Sequence, residues 1–215
     1  MGPIFAKSFD KTLRLGVAVV GVTVLGVAGV VGYLALPENI ETGYQPIQPV
    51  PYSHKLHAGN LGMDCRYCHY TVEKSSYAAV PPSSVCMNCH AKVRPNSDHI
   101  KKIKASYDTG TPMPWVKVHQ LPDFVYFNHK AHVNAGVSCV SCHGRVDQMI
   151  EVKQVEVLTM AWCLDCHRNP ESRVRPSDLV TKLDWKPERD PAEIGRELIA
   201  QKGIHPPTNC SGCHR

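Results

Sequence analysis

All ten cysteines of this chain fall into five Cys-x-x-Cys pairs, and a histidine directly follows each pair: CRYCH (65–69), CMNCH (86–90), CVSCH (139–143), CLDCH (163–167) and CSGCH (210–214). Two thiols at this spacing can add across the two vinyl groups of one porphyrin, and the adjacent imidazole can then reach the iron from one face. That is the attachment pattern of c-type haem. The pattern assigns Cys65, Cys68, Cys86, Cys89, Cys139, Cys142, Cys163, Cys166, Cys210 and Cys213 to covalent attachment, and His69, His90, His143, His167 and His214 to proximal ligation. Zinc also takes Cys-x-x-Cys pairs, but zinc does not require a histidine after every pair. No thiol is left for a disulfide or a nucleophile. The expected cofactor is therefore five covalently bound haem c, and no catalytic residue is assigned.

Of the twelve histidines, seven remain for the second axial position. His54 and His57, and again His129 and His132, are His-x-x-His pairs. On a helix that spacing puts both rings on one side, one turn apart, so each pair can serve two irons. The fifth distal ligand is expected to be His119, in VKVHQLPDF between structured pieces; His99, beside a lysine cluster, and His205, in a proline-rich turn, are the other candidates. A histidine–methionine site with Met149 or Met160 is a further possibility. Two imidazoles on one iron leave no position for a small molecule. No Cys-x-x-Cys-Lys variant marks a substrate-binding haem, so electron transfer rather than small-molecule reduction is the expected role.

Those ligands need elements to carry them. From Pro51 to Arg215 there are 33 residues per motif, too few for a large conventional core. With 17 prolines and 4 phenylalanines, the expected fold is mostly α and irregular: a multihaem cytochrome c with class III-like modules, little β, and one N-terminal transmembrane helix. A two-haem module repeats: SHKLHAGNLGMDCRYCH (53–69) matches NHKAHVNAGVSCVSCH (128–143), with His54 and His129 separated by 75 positions. The expected organisation is an N-terminal segment 1–14, an anchor 15–36, a proline-rich linker 37–52, a first two-haem unit 53–94, a connecting segment 95–127 with a short polar helix at its start, a second unit 128–170, and an extension 171–215 bearing the fifth haem. The three tryptophans are expected to pack on haem faces.

The 22 uncharged residues LGVAVVGVTVLGVAGVVGYLAL (15–36) span ~33 Å as a helix, enough to cross a bilayer. Lys7, Lys11 and Arg14 precede them, which predicts a cytoplasmic N-terminus and an extracytoplasmic haem domain. A cleaved signal peptide has a shorter apolar stretch and a small-residue cleavage site. The formal charge of +5 does not imply nucleic acid, because five haems bring ten propionates and lower the sum to about −5 with ferrous irons. Lys101, Lys102 and Lys104 are read as a solvated face or as propionate partners.

PYSHKLHAGNLGMDCRYCH, PPSSVCMNCH, VHQLPDFVYFNHKAHVNAGVSCVSCHGRVDQM, WCLDCHRNP and the terminal CSGCHR together resemble the pentahaem cytochrome c subunit of bacterial alternative complex III. The resemblance runs from the anchor to the end of the chain. It implies electron transfer within a quinol-oxidising complex of the cytoplasmic membrane. The partners it implies are an iron–sulfur subunit related to molybdopterin enzymes, multi-span quinol-binding subunits, a monohaem cytochrome c subunit, and a soluble carrier or terminal oxidase downstream. A freestanding membrane quinol dehydrogenase feeding a periplasmic reductase is the competing reading.

Overall fold

The computed structural model describes residues 7–214; residues 1–6, the Lys7 side chain and Arg215 lie outside the described residues. The chain divides into two compact units, Met1–Glu41 and Thr42–Arg215.

The first unit is built on α1, Lys7–Leu34, with the one-turn α2, Pro37–Ile40, after it. Ser8–Leu34 is long and apolar enough to cross a membrane. Every side chain from Ser8 to Leu34 is exposed. Thr12 and Thr23 return their hydroxyl hydrogen bonds to the carbonyls of Ser8 and Val19 (3.1 and 2.8 Å). That satisfies both threonine hydroxyls within the helix itself. Beyond the helix, Pro37 occupies the first turn of α2, where its missing N–H costs nothing.

The second unit consists of short helices and loops. Among the described residues it has no strand, only two isolated bridges, Val125 with His214 and Val137 with Val174. The proline-rich stretch, expected as a linker, pairs with other parts of this unit from Gly43 onward. Gly43 N–H donates to Gln154 O (2.7 Å), and Gln154 N–H donates back to Tyr44 O (3.0 Å). The Gln48 side chain bonds both backbone groups of Val116 at 2.9 Å. Prolines fix an extended path with few donors of its own, so neighbouring chain can pair with it.

Apolar burial is small and divided. One cluster joins Val50 to Ile100 and Ile103, with Cys86, Met87, Met113 and Trp115 against it. The two isoleucines lie on α5, Asp98–Thr109, which is stopped by left-handed Gly110; this is the polar helix expected in the connecting segment. Its Lys101–Asp98 and Lys104–Asp108 pairs are exposed and contribute little each. The second cluster is Val72, Val133 and Val180, which ties the first repeat to the second. Ser138, fully buried, donates to Val180 O at 2.8 Å.

Gly136 closes α6, His129–Ala135, at φ +99°. A Cβ there would overlap the Arg175 carbonyl, whose residue also donates its N–H to Gly136 O (2.9 Å). Gly136→Ala is expected to cost about 3 kcal/mol through positive φ and overlap. The measurement is the thermal midpoint of the haem-loaded protein, expected to fall by about 10 °C; an unchanged midpoint refutes the close contact.

Candidate haem-attachment sites

Each Cys-x-x-Cys-His motif lies on a single helical turn, and each turn is anchored differently. α3, Cys65–Cys68, starts at Asp64, whose carboxylate accepts the Arg66 N–H (2.8 Å). Arg66 bridges Asp64 and Glu73 (2.9 and 3.1 Å), and Thr181 donates to Asp64 at 2.9 Å. The hydrogen bonds from Arg66 hold the Asp64 carboxyl down to about 2. α4, Ser83–His90, carries the second motif, and α7, Val140–His143, carries most of the third. α8, Met160–Arg168, is capped by Thr159 and carries the fourth. The fifth motif begins on a 3₁₀ turn, Cys210–Gly212.

The distal candidates are held on equivalent elements in the two repeats. His54 precedes a π-helical turn, Lys55–Asn60, rather than an α-helix, and His129 begins α6. In each repeat an aromatic ring lies two residues ahead of the pair. Tyr52 meets His54 edge-on at 4.8 Å and stacks on His57 at 4.4 Å. Phe127 meets His129 edge-on at 4.7 Å and lies over His132 at 4.6 Å. These two rings, which contact the candidate histidines, are absent from the motif reading. Their signal was available, since Tyr52 and Phe127 share the 75-position offset of His54 and His129.

The imidazoles come together in pairs. A metal–imidazole nitrogen bond is about 2.0 Å, and the nitrogen stands roughly 1.1 Å from the ring centre, so two rings across one metal have centroids about 6.2 Å apart. His57 and His90 are 6.2 Å apart, His129 and His143 6.3 Å, and His132 and His167 6.0 Å. His57, His129 and His132 thus each lie at that distance from a motif histidine. His54 lies close to His69, with burial and that neighbour holding its imidazole down to about 4.

One ring nitrogen of seven of these histidines is held by backbone. Nδ1 of His69, His90, His167 and His214 contacts the carbonyls of Ala79, Val93, Pro207 and Phe124 at 2.7, 2.9, 2.7 and 3.2 Å. Nδ1 of His57, His129 and His132 contacts Ser53, Ser76 and Asn128 carbonyls at 2.8, 2.9 and 2.8 Å. A carbonyl can only accept, so these contacts place the proton on Nδ1 and leave Nε2 bare for a metal. His54 Nδ1 is buried without a partner. Burial, with neighbouring imidazoles, pushes His143 down to about 3, which favours its neutral form. The residues present fit haem.

The remaining candidates separate. His119 lies edge-on to His143, with Nε2 3.3 Å from His143 Nδ1; the ring meeting His214 is Phe124, at 5.6 Å. His99 and His205 are exposed. Met160 is exposed, and the Met149 carbonyl accepts from Lys55 N–H (2.9 Å). Trp115 packs on the Val50 cluster, Trp162 donates to Glu156 (3.1 Å), and Trp185 lies under the Arg175 guanidinium (4.8 Å).

The motifs are also neighbours of one another. The Cys65 and Cys139 thiols are neighbours: their interaction, above all, holds Cys65 below its ordinary value and Cys139 above it. Burial and then Cys86 raise Cys68. Burial and then Cys166 and Cys163 push Cys142 up to about 12, and burial and then Cys213 raise Cys163.

Residues 125–215 match the family model described as cytochrome c7 and related cytochrome c. The chain is 36% identical over 120 residues to the menaquinone reductase multihaem cytochrome c subunit of Nitratidesulfovibrio vulgaris (strain Hildenborough), which covers 55% of each chain. The chain thus spans about half the length of that curated relative.

Proposed function

We propose, from a mostly helical and irregular chain that carries a multihaem cytochrome c domain behind one apolar helix, that it binds five haem c and carries electrons within a quinone-linked membrane complex. The observation that carries this reading is the three imidazole pairs at 6.0–6.3 Å. When bound, haem supplies one-electron redox chemistry at its iron. The chain's own residues fix that group in place. The ten cysteines would tether it, the five motif histidines would ligate it, and His54, His57, His129 and His132 would supply second ligands to four sites. Ligation from both faces keeps small molecules off the metal and favours lower potentials than histidine–methionine ligation. No substrate chemistry is assigned to this chain.

For His119 the contact with His143 favours a supporting role. Its Nε2 accepts from His143 Nδ1 and orients that ligand, as the backbone carbonyls do elsewhere. Ligation of the fifth iron by His119, the expectation from sequence, requires that Nε2 to turn away from His143. His119→Ala is expected to leave the number of low-spin ferric signals in the electron paramagnetic resonance spectrum unchanged and to shift one of them. A new high-spin signal would instead assign His119 to an iron.

The apolar helix is proposed as a retained anchor, with Lys11 and Arg14 on the cytoplasmic side and the haem-binding unit outside. The finer proposal is the pentahaem subunit of an alternative complex III, beside an iron–sulfur subunit, multi-span quinol-binding subunits and a monohaem cytochrome. The relative's name, a menaquinone reductase subunit, supports a second reading in which a complex of similar type works toward quinone reduction. Native electrophoresis of mildly solubilised membranes, with haem staining and mass spectrometry of the stained band, tests the first proposal. Co-migration with a large iron–sulfur subunit and multi-span proteins is expected. A haem band containing this chain alone refutes membership of either complex.

A further inference from the structure

The structure assigns to Arg175 the tuning of the motif 3 site: its guanidinium, fixed beside Cys139 and paired with no carboxylate, is the charge that makes the iron held there easier to reduce. This deepens the function proposed above and rests on its reading of the motifs as haem sites.

The loop 174–185 folds over the start of motif 3 and carries this residue. Val174 bridges Val137, and Arg175 N–H donates to Gly136 O (2.9 Å), three residues before Cys139. Further along the loop, Val180 O accepts from both Cys139 N–H and the Ser138 hydroxyl (3.2 and 2.8 Å). The Arg175 side chain follows the same loop. Its guanidinium donates to Lys182 O (3.1 Å) and lies over the Trp185 ring, 4.8 Å from the ring centre. A carbonyl and an aromatic face both favour a cation, so the charge is held where the loop covers Cys139.

The charge has no counter-ion. Among the described residues no carboxylate pairs with Arg175. Burial lowers its guanidinium from the ordinary value, and the nearby Cys139 sulfur acts against that. Once that sulfur is a thioether it carries no charge, and nothing opposes the cation. The other charges at motif 3 offset each other: after burial and the neighbouring thiols, Glu156 raises Cys142 and Arg173 lowers it. At motif 1, the counterpart in the first repeat, the cation is shared, because Arg66 bridges Asp64 and Glu73 (2.9 and 3.1 Å). Reduction of a ferric site adds one electron and removes one positive charge, so a fixed cation beside it favours the reduced state. Arg175 is half-buried, where one charge acts through a lower dielectric than water, and an effect on the order of tenfold in the reduced-to-oxidised ratio is expected.

The test is redox potentiometry of the haem-loaded full chain in mild detergent, reduced stepwise with dithionite and followed by electron paramagnetic resonance. Arg175→Gln and Arg175→Met remove the charge, and Arg175→Lys keeps it. His129→Ala, in a separate sample, marks the motif 3 signal, because His129 faces His143. Both neutral variants are expected to lower one midpoint by about 59 mV, the tenfold loss for a one-electron couple. Arg175→Lys should return the reduced-to-oxidised ratio to within about twofold of the parent value, since lysine carries the same charge on a different head group. The signal that moves should be the one lost in His129→Ala. Midpoints that stay in place, a lysine variant as low as the neutral ones, or a shift at another signal overturns the tuning role and leaves the haem reading intact. Neutral variants that fail to take up haem make Arg175 a folding residue and overturn the role as well. A parent chain with no low-spin haem at motif 3 overturns the haem reading, and the tuning role with it.

Discussion

Made without covalent haem, residues 42–215 are expected to show no cooperative thermal transition by circular dichroism, whereas the haem-loaded protein shows a sharp one. The reason is the size of the core. Among the described residues the buried hydrophobics are Val50, Val72, Ile100, Ile103, Val133, Val174, Val180 and Leu183. Five of these side chains are valines, and no aromatic side chain is among them. A domain of this length ordinarily buries most of the apolar surface its unfolded chain exposes, and eight mid-sized side chains in separate clusters fall far short of that. The helices do not compensate. α3 and α7 are four residues long, below the length at which a helix is stable alone. The macrocycles must supply the missing apolar interior, through surface that the motif turns leave half-buried. A cooperative transition in the haem-free chain would show that the protein core alone suffices.

The second large effect is expected at a distal histidine. His132→Ala removes the ring that faces His167 at 6.0 Å. One iron of the five should become high-spin and gain the ability to bind carbon monoxide, with the other four unchanged. His132 is a better choice than His167, because it lies outside the Cys-x-x-Cys-His motifs and its removal leaves all five intact. The substitution also leaves Phe127 without the ring it lies over, so a modest loss of thermal stability should accompany the spectral change. Alanine at His57 should act in the same way on the iron of His90. If His132→Ala leaves every iron low-spin, the pairing with His167 is refuted.

The attachment chemistry was legible from residue type and spacing because thioether formation is a local requirement. The five-residue motif and the one-turn separation in His-x-x-His need no knowledge of the rest of the fold. The short polar helix at Asp98–Thr109 was legible too, since it ends at Gly110 and carries its charges at helical spacing. What the sequence did not reveal depends on long-range neighbours. The backbone carbonyls that hold Nδ1 belong to any residue type and leave no mark in a sequence: Ala79, Val93 and Pro207 could not have been picked out. The proline-rich stretch reads as a spacer because its composition lacks donors, yet Gln154 and Val116, far along the chain, pair with it. His119 was chosen by elimination among three histidines, and its neighbour His143 is 24 positions away.

The rings of Tyr52 and Phe127 change how the two iron sites beside each of them respond to a mutation. Each ring touches two distal imidazoles at once, one by its edge and one by its face. An imidazole free to rotate about two bonds loses on the order of 1 kcal/mol of rotational entropy when it is fixed. Here one aromatic ring holds two imidazoles, so the pair is fixed as a unit. Removing one ring therefore releases two ligands, and two neighbouring metals lose rigidity together. Phe127 and Tyr52 each act as one hinge pin for two doors.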